Sequence, residues 1–462
     1  MSDRMRHHIV LSLALAASVA GCAVGPAYQR PTTPEPVAFK EAQGFVPAAP
    51  ADVLERGPWW TLFGDPVLNQ LAGSVEVSNQ NVAGAVAAYA QARALVQQQR
   101  AQLFPAVSLS ASGDRSGGEG GADNRYRLSI GGSWEPDVWG RLRAGVSGAT
   151  ASAQASAADL AAARLSVQGE LAADYFTLRQ LDAQRALLAT TIEGYRRVLQ
   201  ITQNRFNAGI AAKSDVLQAQ TQRANAQTDE LTLARQRAQL EHAIAVLVGK
   251  APADFTLAPA AWNAAIPEVP VGVPSTLLQR RPDIAAAERR VAAANAQIGV
   301  ARSAYFPSIG LTSSYGTSAS RVADLFSVSN AVWSFGLSAA QSLFNAGATR
   351  ASVAGAEAQH QQAVARYRQT VLDAFADVEN QLTATRVLAQ QQDLRRQAAE
   401  AANLVEEQML NRYKAGQVSY TEVVQAQVTA LNARRALVQV QADRQNAAVA
   451  LIQSLGGGWH TP

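Results

Sequence analysis

The sequence predicts a mixed fold in which paired β-strands are joined to very long α-helices, with the whole unit present twice. Three observations predict it. Short motifs recur in the same order at a nearly constant offset. Each half contains two runs with period-two alternation of apolar and polar residues. Each half then enters a proline-free, Ala- and Gln-rich stretch, Gly140–Arg205 and Ala346–Arg412, far longer than an ordinary globular helix.

The recurrence fixes the organisation. Leu103-Phe104-Pro105-Ala106-Val107-Ser108-Leu109 matches Tyr305-Phe306-Pro307-Ser308-Ile309-Gly310-Leu311 at an offset of 202. Arg205-Phe206-Asn207-Ala208-Gly209 matches Arg412-Tyr413-Lys414-Ala415-Gly416 at 207, and Ser214-Asp215-Val216-Leu217-Gln218-Ala219-Gln220 matches Thr421-Glu422-Val423-Val424-Gln425-Ala426-Gln427 at the same offset. Leu247-Val248-Gly249 returns as Ser454-Leu455-Gly456. The chain therefore divides into a first repeat (59–249), a Pro-rich linker (250–274), a second repeat (275–456) and a short tail (457–462).

The N-terminus sets the compartment. Arg4, Arg6, His7 and His8 precede the apolar run Ile9–Val19, which is too short to span a bilayer and fits the core of an export signal. Val19-Ala20-Gly21-Cys22 resembles a bacterial lipobox around the only cysteine of the chain. The resemblance implies a signal peptide over 1–21, cleavage before Cys22 and lipid on its thiol and amine, with Ala23 directing the product to the outer membrane. The alternative is a plain export signal with an incidental cysteine. Residues 22–58 then form an extended, proline-bearing arm.

The strands are expected at about 106–113, 125–138, 307–316 and 331–343. Val107, Leu109 and Ala111 alternate with Ser108, Ser110 and Ser112; Tyr126, Leu128, Ile130 and Trp134 alternate with Arg127, Ser129 and Ser133. In the second repeat Ile309, Leu311 and Tyr315 alternate with Gly310, Thr312 and Ser314, and Trp333, Phe335 and Leu337 alternate with Ser334, Gly336 and Ser338. One face is apolar and the other small and polar. This suits a lipid-facing exterior around a wet lumen; a hairpin half-buried in a soluble sheet has the same pattern. Asp114–Asn124 and Thr317–Ser329 read as connecting loops.

Four strands do not close a barrel, and open edges in lipid leave backbone groups unpaired at several kcal/mol each. Two copies give eight strands, a cylinder filled by its own side chains; a pore needs at least three copies.

Composition excludes other functions. The net charge is +4 and no basic stripe with interleaved aromatics occurs, so nucleic acid is not expected as a partner. The five histidines are scattered and only one cysteine is present, which gives no metal site, no disulfide and no catalytic device; neither is a nucleotide loop present, and no cofactor is expected.

Taken together, Trp59-Trp60-x-Leu62-Phe63-Gly64-Asp65-Pro66-x-Leu68-Asn69, Pro274-Ser275-x-Leu277-Leu278-x-Arg280-Arg281-Pro282-Asp283-Ile284, the paired Phe-Pro steps and the paired turn motifs resemble the outer membrane factor (TolC-like) family, in its lipoprotein branch. The resemblance implies a homotrimer with a twelve-stranded β-barrel in the outer membrane and an α-helical coiled-coil barrel in the periplasm. It also implies a periplasmic adaptor and an inner-membrane pump of the RND type as partners, with this chain the passive exit duct. The exit duct of a one-step (type I) protein secretion system is the alternative. The turns around Ala208 and Gly209 and around Ala415 and Gly416 are implied to meet the adaptor, and Asp215, Glu422, Tyr413 and Gln425 to form the periplasmic gate, with Tyr413 bonded to Asp215. Locally, Ser214 and Thr421 are expected to cap the returning helices, and the acid after each complements the helix dipole.

Overall fold

The structure, a computed structural model, describes residues 24–34, 36–42, 58–118, 121–269 and 280–459. Cys22, the signal peptide and part of the linker lie outside them. The elements run α1 (Pro66–Ser78), α2 (Gln80–Ala101), β1 (Ala106–Gly118), β2 (Gly121–Trp134), α3 (Arg141–Asn207), α4 (Lys213–Leu247), α5 (Pro282–Arg302), β3 (Ser308–Ala319), β4 (Ala331–Ala340), α6 (Ala348–Lys414) and α7 (Tyr420–Ser454), with short 3-10 turns between some of them. The repeat is carried into the helix lengths: α3 and α6 each have 67 residues, and α4 and α7 each have 35. No helix among the described residues is long and apolar enough to cross a membrane.

The described residues form two units, the first within 1–33, 87–158 and 284–370 and the second within 34–86, 159–283 and 371–462. The first unit holds the sheet, an antiparallel meander in the order β1-β2-β3-β4. Its register carries the alternation across all four strands. Leu109 pairs with Ile130, Ile130 with Tyr315 and Tyr315 with Trp333. These four exposed residues form one continuous apolar row. On the opposite face Ser108, Gly131, Ser314 and Ser334 form a row of small residues, three of them serines, with Ser314 and Ser334 hydroxyls 2.8 Å apart. Ser110 and Ser129 do the same at 2.9 Å.

The strands differ from the sequence reading at their ends. β1 and β2 run on through the segment read as a loop, pairing Asp114 with Arg125 and Gly118 with Gly121. A ladder is made by backbone groups, so polar residues extend it without interrupting it. β2 ends at Trp134 rather than near 138, before Pro136, which has no N–H to donate. β3 likewise continues to Ala319, and β4 stops at Ala340.

Each hairpin is closed at its base by the same bond. Trp134 Nε1 donates to the Leu103 carbonyl at 3.0 Å, and Gln341 Nε2 to the Tyr305 carbonyl at 3.2 Å. Beyond β2, the Trp139 ring stacks on Phe306 at 4.8 Å and its Nε1 donates to the Pro307 carbonyl at 2.7 Å. The N-terminal arm is held to this unit. Val24 N–H donates to the Trp139 carbonyl, Asn295 Nδ2 to the Pro26 carbonyl at 2.9 Å, and the Tyr28 hydroxyl to Glu288. Burial together with the neighbouring Glu288 carboxylate drives the Tyr28 phenol well above its ordinary range.

The second unit is built on the two motif blocks. Asp65 caps α1 through Val67 and Leu68 N–H groups at 2.9 and 3.1 Å, with Pro66 at the first helical position, and its other oxygen accepts from Tyr175 at 2.7 Å. Trp59, Trp60, Phe63 and Phe176 form the aromatic core beneath it. Here too the repeats correspond. Asn79 Nδ2 donates to the last-turn carbonyl of Leu247 at 2.8 Å, and Arg281 Nη1 donates to that of Ser454 at 3.2 Å. Gly249 (φ 70°) and Gly456 (φ 95°) close those helix ends so tightly that a Cβ would lie 2.3 Å from the Ser78 carbonyl and 2.0 Å from that of Arg280. This is the physical content of the Leu-Val-Gly and Ser-Leu-Gly repeat.

A buried charge network anchors the segment after the first repeat. Asp182 bonds Arg179 at 3.0 Å and Arg237 at 2.7 Å; Arg237 also reaches Glu241 at 2.8 Å. Arg179 donates to the Ala258 carbonyl at 2.9 Å, and Glu241 accepts from the Leu257 N–H at 2.6 Å. Charges from two helices thus fasten the strap 255–269, which has no helix or strand of its own.

Candidate functional site

Two helix–turn–helix hairpins, α3–α4 and α6–α7, carry the residues singled out at the tip. Both long helices end in the same way. Gly209 (φ 76°) and Gly416 (φ 77°) take the left-handed conformation that glycine adopts without steric cost. Gly209 N–H bonds Phe206 and Ile210 N–H bonds Arg205, at 2.9 and 2.8 Å; Gly416 to Tyr413 and Gln417 to Arg412 are both 2.9 Å. Ala208, Gly209, Ala415 and Gly416 are all exposed.

The returning helices start two residues earlier than the sequence suggested, so neither Ser214 nor Thr421 is a cap. Ala212 occupies the N-cap of α4 and offers no side-chain acceptor. Ser419 occupies that of α7, and its N–H and hydroxyl both donate to Glu422 at 3.3 Å. Asp215 and Glu422 hold equivalent places in the first turns, where a carboxylate faces the positive end of the helix dipole. Asp215 is half-buried and takes a weak bond from Ser214 at 3.4 Å; Glu422 and Gln425, one turn apart, are exposed.

Tyr413 is buried in an apolar cluster with Val198, Ala219, Tyr420 and Val423. Its ring lies 5.4 Å from that of Tyr420, and the Arg205 guanidinium sits 4.8 Å from its centroid. The expected Tyr413–Asp215 bond is not formed: the Tyr413 hydroxyl is buried without a hydrogen-bond partner among the described residues. The ring, not the hydroxyl, is what holds this residue. Burial, followed by the charges of Tyr413, Tyr195 and Asp215, pushes the Tyr420 phenol far up, so Tyr420 stays neutral. In the first hairpin the corresponding pair is Phe206 and Lys213, with the ammonium 5.3 Å from the ring. The first residue of each returning helix therefore covers the last aromatic ring of the long helix before it.

The sequence reading gave no contact to Arg205, Tyr420, Phe206 and Lys213 at the tip. Their signal was present in the offset of 207, which aligns Phe206 with Tyr413 and Lys213 with Tyr420. Among the described residues no group of three or more His, Cys, Asp or Glu side chains is placed to hold a metal.

A sheet with one apolar and one small polar face, joined in duplicate to long hairpin helices, defines a membrane channel subunit. Residues 71–250 and 273–457 match the outer membrane efflux protein family. The probable efflux pump outer membrane protein TtgC of Pseudomonas putida is 32% identical over 98% of this chain and 96% of its own length. The cation efflux system protein CusC of Escherichia coli is 29% identical over 97% of this chain and 98% of its own. The outer-membrane channel OprN superposes with a TM-score of 0.88 at 31% identity, covering 96% of this chain and all of that one. The chain belongs to the outer membrane efflux protein family, a family of channel proteins. It is an outer-membrane efflux channel subunit that extends into the periplasm.

Proposed function

We propose that three copies of the chain close a twelve-stranded barrel and a helical tunnel, which together act as the passive exit duct of a tripartite, RND-type efflux system for small molecules. The observation that carries this reading is the sheet itself. Among the described residues its edge strands β1 and β4 each have a single neighbour, and Leu109, Ile130, Tyr315 and Trp333 on its apolar face are exposed. In lipid such edges must be paired, and the smallest symmetric closure that leaves a lumen uses three copies. The polar, small-residue face then lines the water-filled interior.

In this assembly Asp215, Glu422, Tyr413 and Gln425 are gathered threefold at the narrow end, and the exposed turns at Ala208, Gly209, Ala415 and Gly416 receive a periplasmic adaptor, which connects the duct to an inner-membrane pump. The pump supplies the energy, and the chain performs no chemistry. Lipid on Cys22 fixes the arm to the outer-membrane inner leaflet and assists placement. The test of the duct is reconstitution: the detergent-purified protein added to a planar bilayer gives discrete conductance steps, and Asp215→Ala raises them. A bilayer that stays insulating overturns the reading. For the anchor, labelled palmitate enters the wild type and not Cys22→Ser; label retained by the serine variant refutes it.

A further inference from the structure

We propose that Phe344 of each copy stacks on Phe104 and Pro105 of the next, an aromatic latch that locks the ring of strands at its base; this rests on the three-copy reading above. The template lies inside the chain. At the internal junction between the repeats, the aromatic that follows β2, Trp139, stacks on Phe306 and bonds the Pro307 carbonyl of the adjoining strand. The repeat maps Phe306-Pro307 onto Phe104-Pro105 at 202. It maps Gly140 onto Gly347 at 207, both with positive φ, 78° and 88°. The Val138-Trp139 pair before the first glycine corresponds to Leu343-Phe344 before the second, with two extra residues between.

The equivalence is structural, because Trp134 to Leu103 and Gln341 to Tyr305 are the same bond at the same two offsets. Yet among the described residues of a single chain the second junction is left uncovered. Phe306, covered by Trp139, is 37% exposed, whereas its counterpart Phe104 is 69% exposed; Phe344 is 89% and Leu343 92% exposed. Two large aromatics are thus displayed at opposite edges of one sheet, one at the base of β1 and one after β4.

The strand register agrees. Ile130 pairs with Tyr315 inside the chain. Moving each by its offset places Leu337 of one copy opposite Gly113 of the next, and in the same register Ala339 opposite Ala111. All four positions lie on the apolar face, so closure keeps that face continuous and side chains do not change sides. The occupant of this edge is therefore a second copy of the chain, with the interface that the two repeats already make with each other.

The test is thiol crosslinking in the detergent-purified full chain. Phe104→Cys with Phe344→Cys, treated with a short bifunctional thiol reagent, gives covalent dimer and trimer bands, and neither single variant does. Trp139→Cys with Phe306→Cys calibrates reach, crosslinking within one chain. Phe344→Ala lowers the temperature at which the oligomer dissociates in SDS, and Phe344→Trp, which restores the internal junction's indole N–H, does not. An assembly of three-copy mass whose 104/344 pair fails to crosslink while the 139/306 pair reacts overturns the latch and leaves the three-copy reading intact. An assembly of single-copy mass overturns both.

Discussion

The Arg205 guanidinium lies 4.8 Å from the centroid of the Tyr413 ring and donates to the Lys414 carbonyl at 3.2 Å, tying the last turn of one long helix to the last turn of the other. A cation over a partly desolvated ring is worth up to about 2 kcal/mol. Arg205→Ala is expected to loosen the tip and raise single-channel conductance. Tyr413→Phe keeps the ring and removes only a hydroxyl that has no bond among the described residues, so it leaves conductance unchanged. Equal conductance for Arg205→Ala and wild type would remove the contact from the gate.

The caps give a second contrast. Ser419→Ala removes the hydroxyl that meets Glu422 and is expected to cost about 1 kcal/mol. Amide exchange in the first turn of α7 accelerates accordingly. Ser214→Ala and Thr421→Ala, two positions past the caps, leave exchange in α4 and α7 as it was. Acceleration of similar size in all three contradicts the assignment of the helix starts.

The cap error shows where the sequence stopped being informative. A serine and a threonine ahead of an acid look like caps, but the true cap is set by where the turn ends. That depends on the left-handed glycine and the two bonds that wrap the helix end. By contrast, the strand faces were fully legible, since period-two alternation survives any register that keeps parity, and Leu109, Ile130, Tyr315 and Trp333 do share one row. The duplication was legible from the motifs. The Arg205–Tyr413 contact was not, because it joins residues 208 positions apart across two hairpins. Polar hairpin tips read as loops for a similar reason: composition does not report backbone pairing.

The network around Asp182 was invisible in the sequence for the same reason, its charges being dispersed along two helices. Asp182 is the shared acceptor of Arg179 and Arg237, all three nearly excluded from solvent. Asp182→Ala leaves two buried guanidinium groups with too little compensating charge, which costs about 3–5 kcal/mol. The expected result is a lower unfolding temperature and faster chymotrypsin cleavage within 255–269, the strap this network holds, which carries Phe255 and Trp262. Wild-type cleavage rates in the variant contradict that role.

Asp174 sets a pH dependence. Burial first, then the charge of Glu170, raise its pKa to about 6. A carboxyl raised in the folded state binds more protons folded than unfolded between its ordinary value and about 6, so its contribution to stability falls as pH rises across that window. Asp174→Asn removes this slope between about pH 4 and 6 and raises the unfolding temperature at pH 7. Parallel temperature–pH curves for variant and wild type contradict the shift.

The most direct measurement of the central claim, that the sheet of one chain is completed by others, is the mass of the protein purified in detergent, with the detergent contribution subtracted. Three chain masses in one particle are the predicted result. A particle of one chain mass, stable in detergent with both sheet edges open, contradicts it.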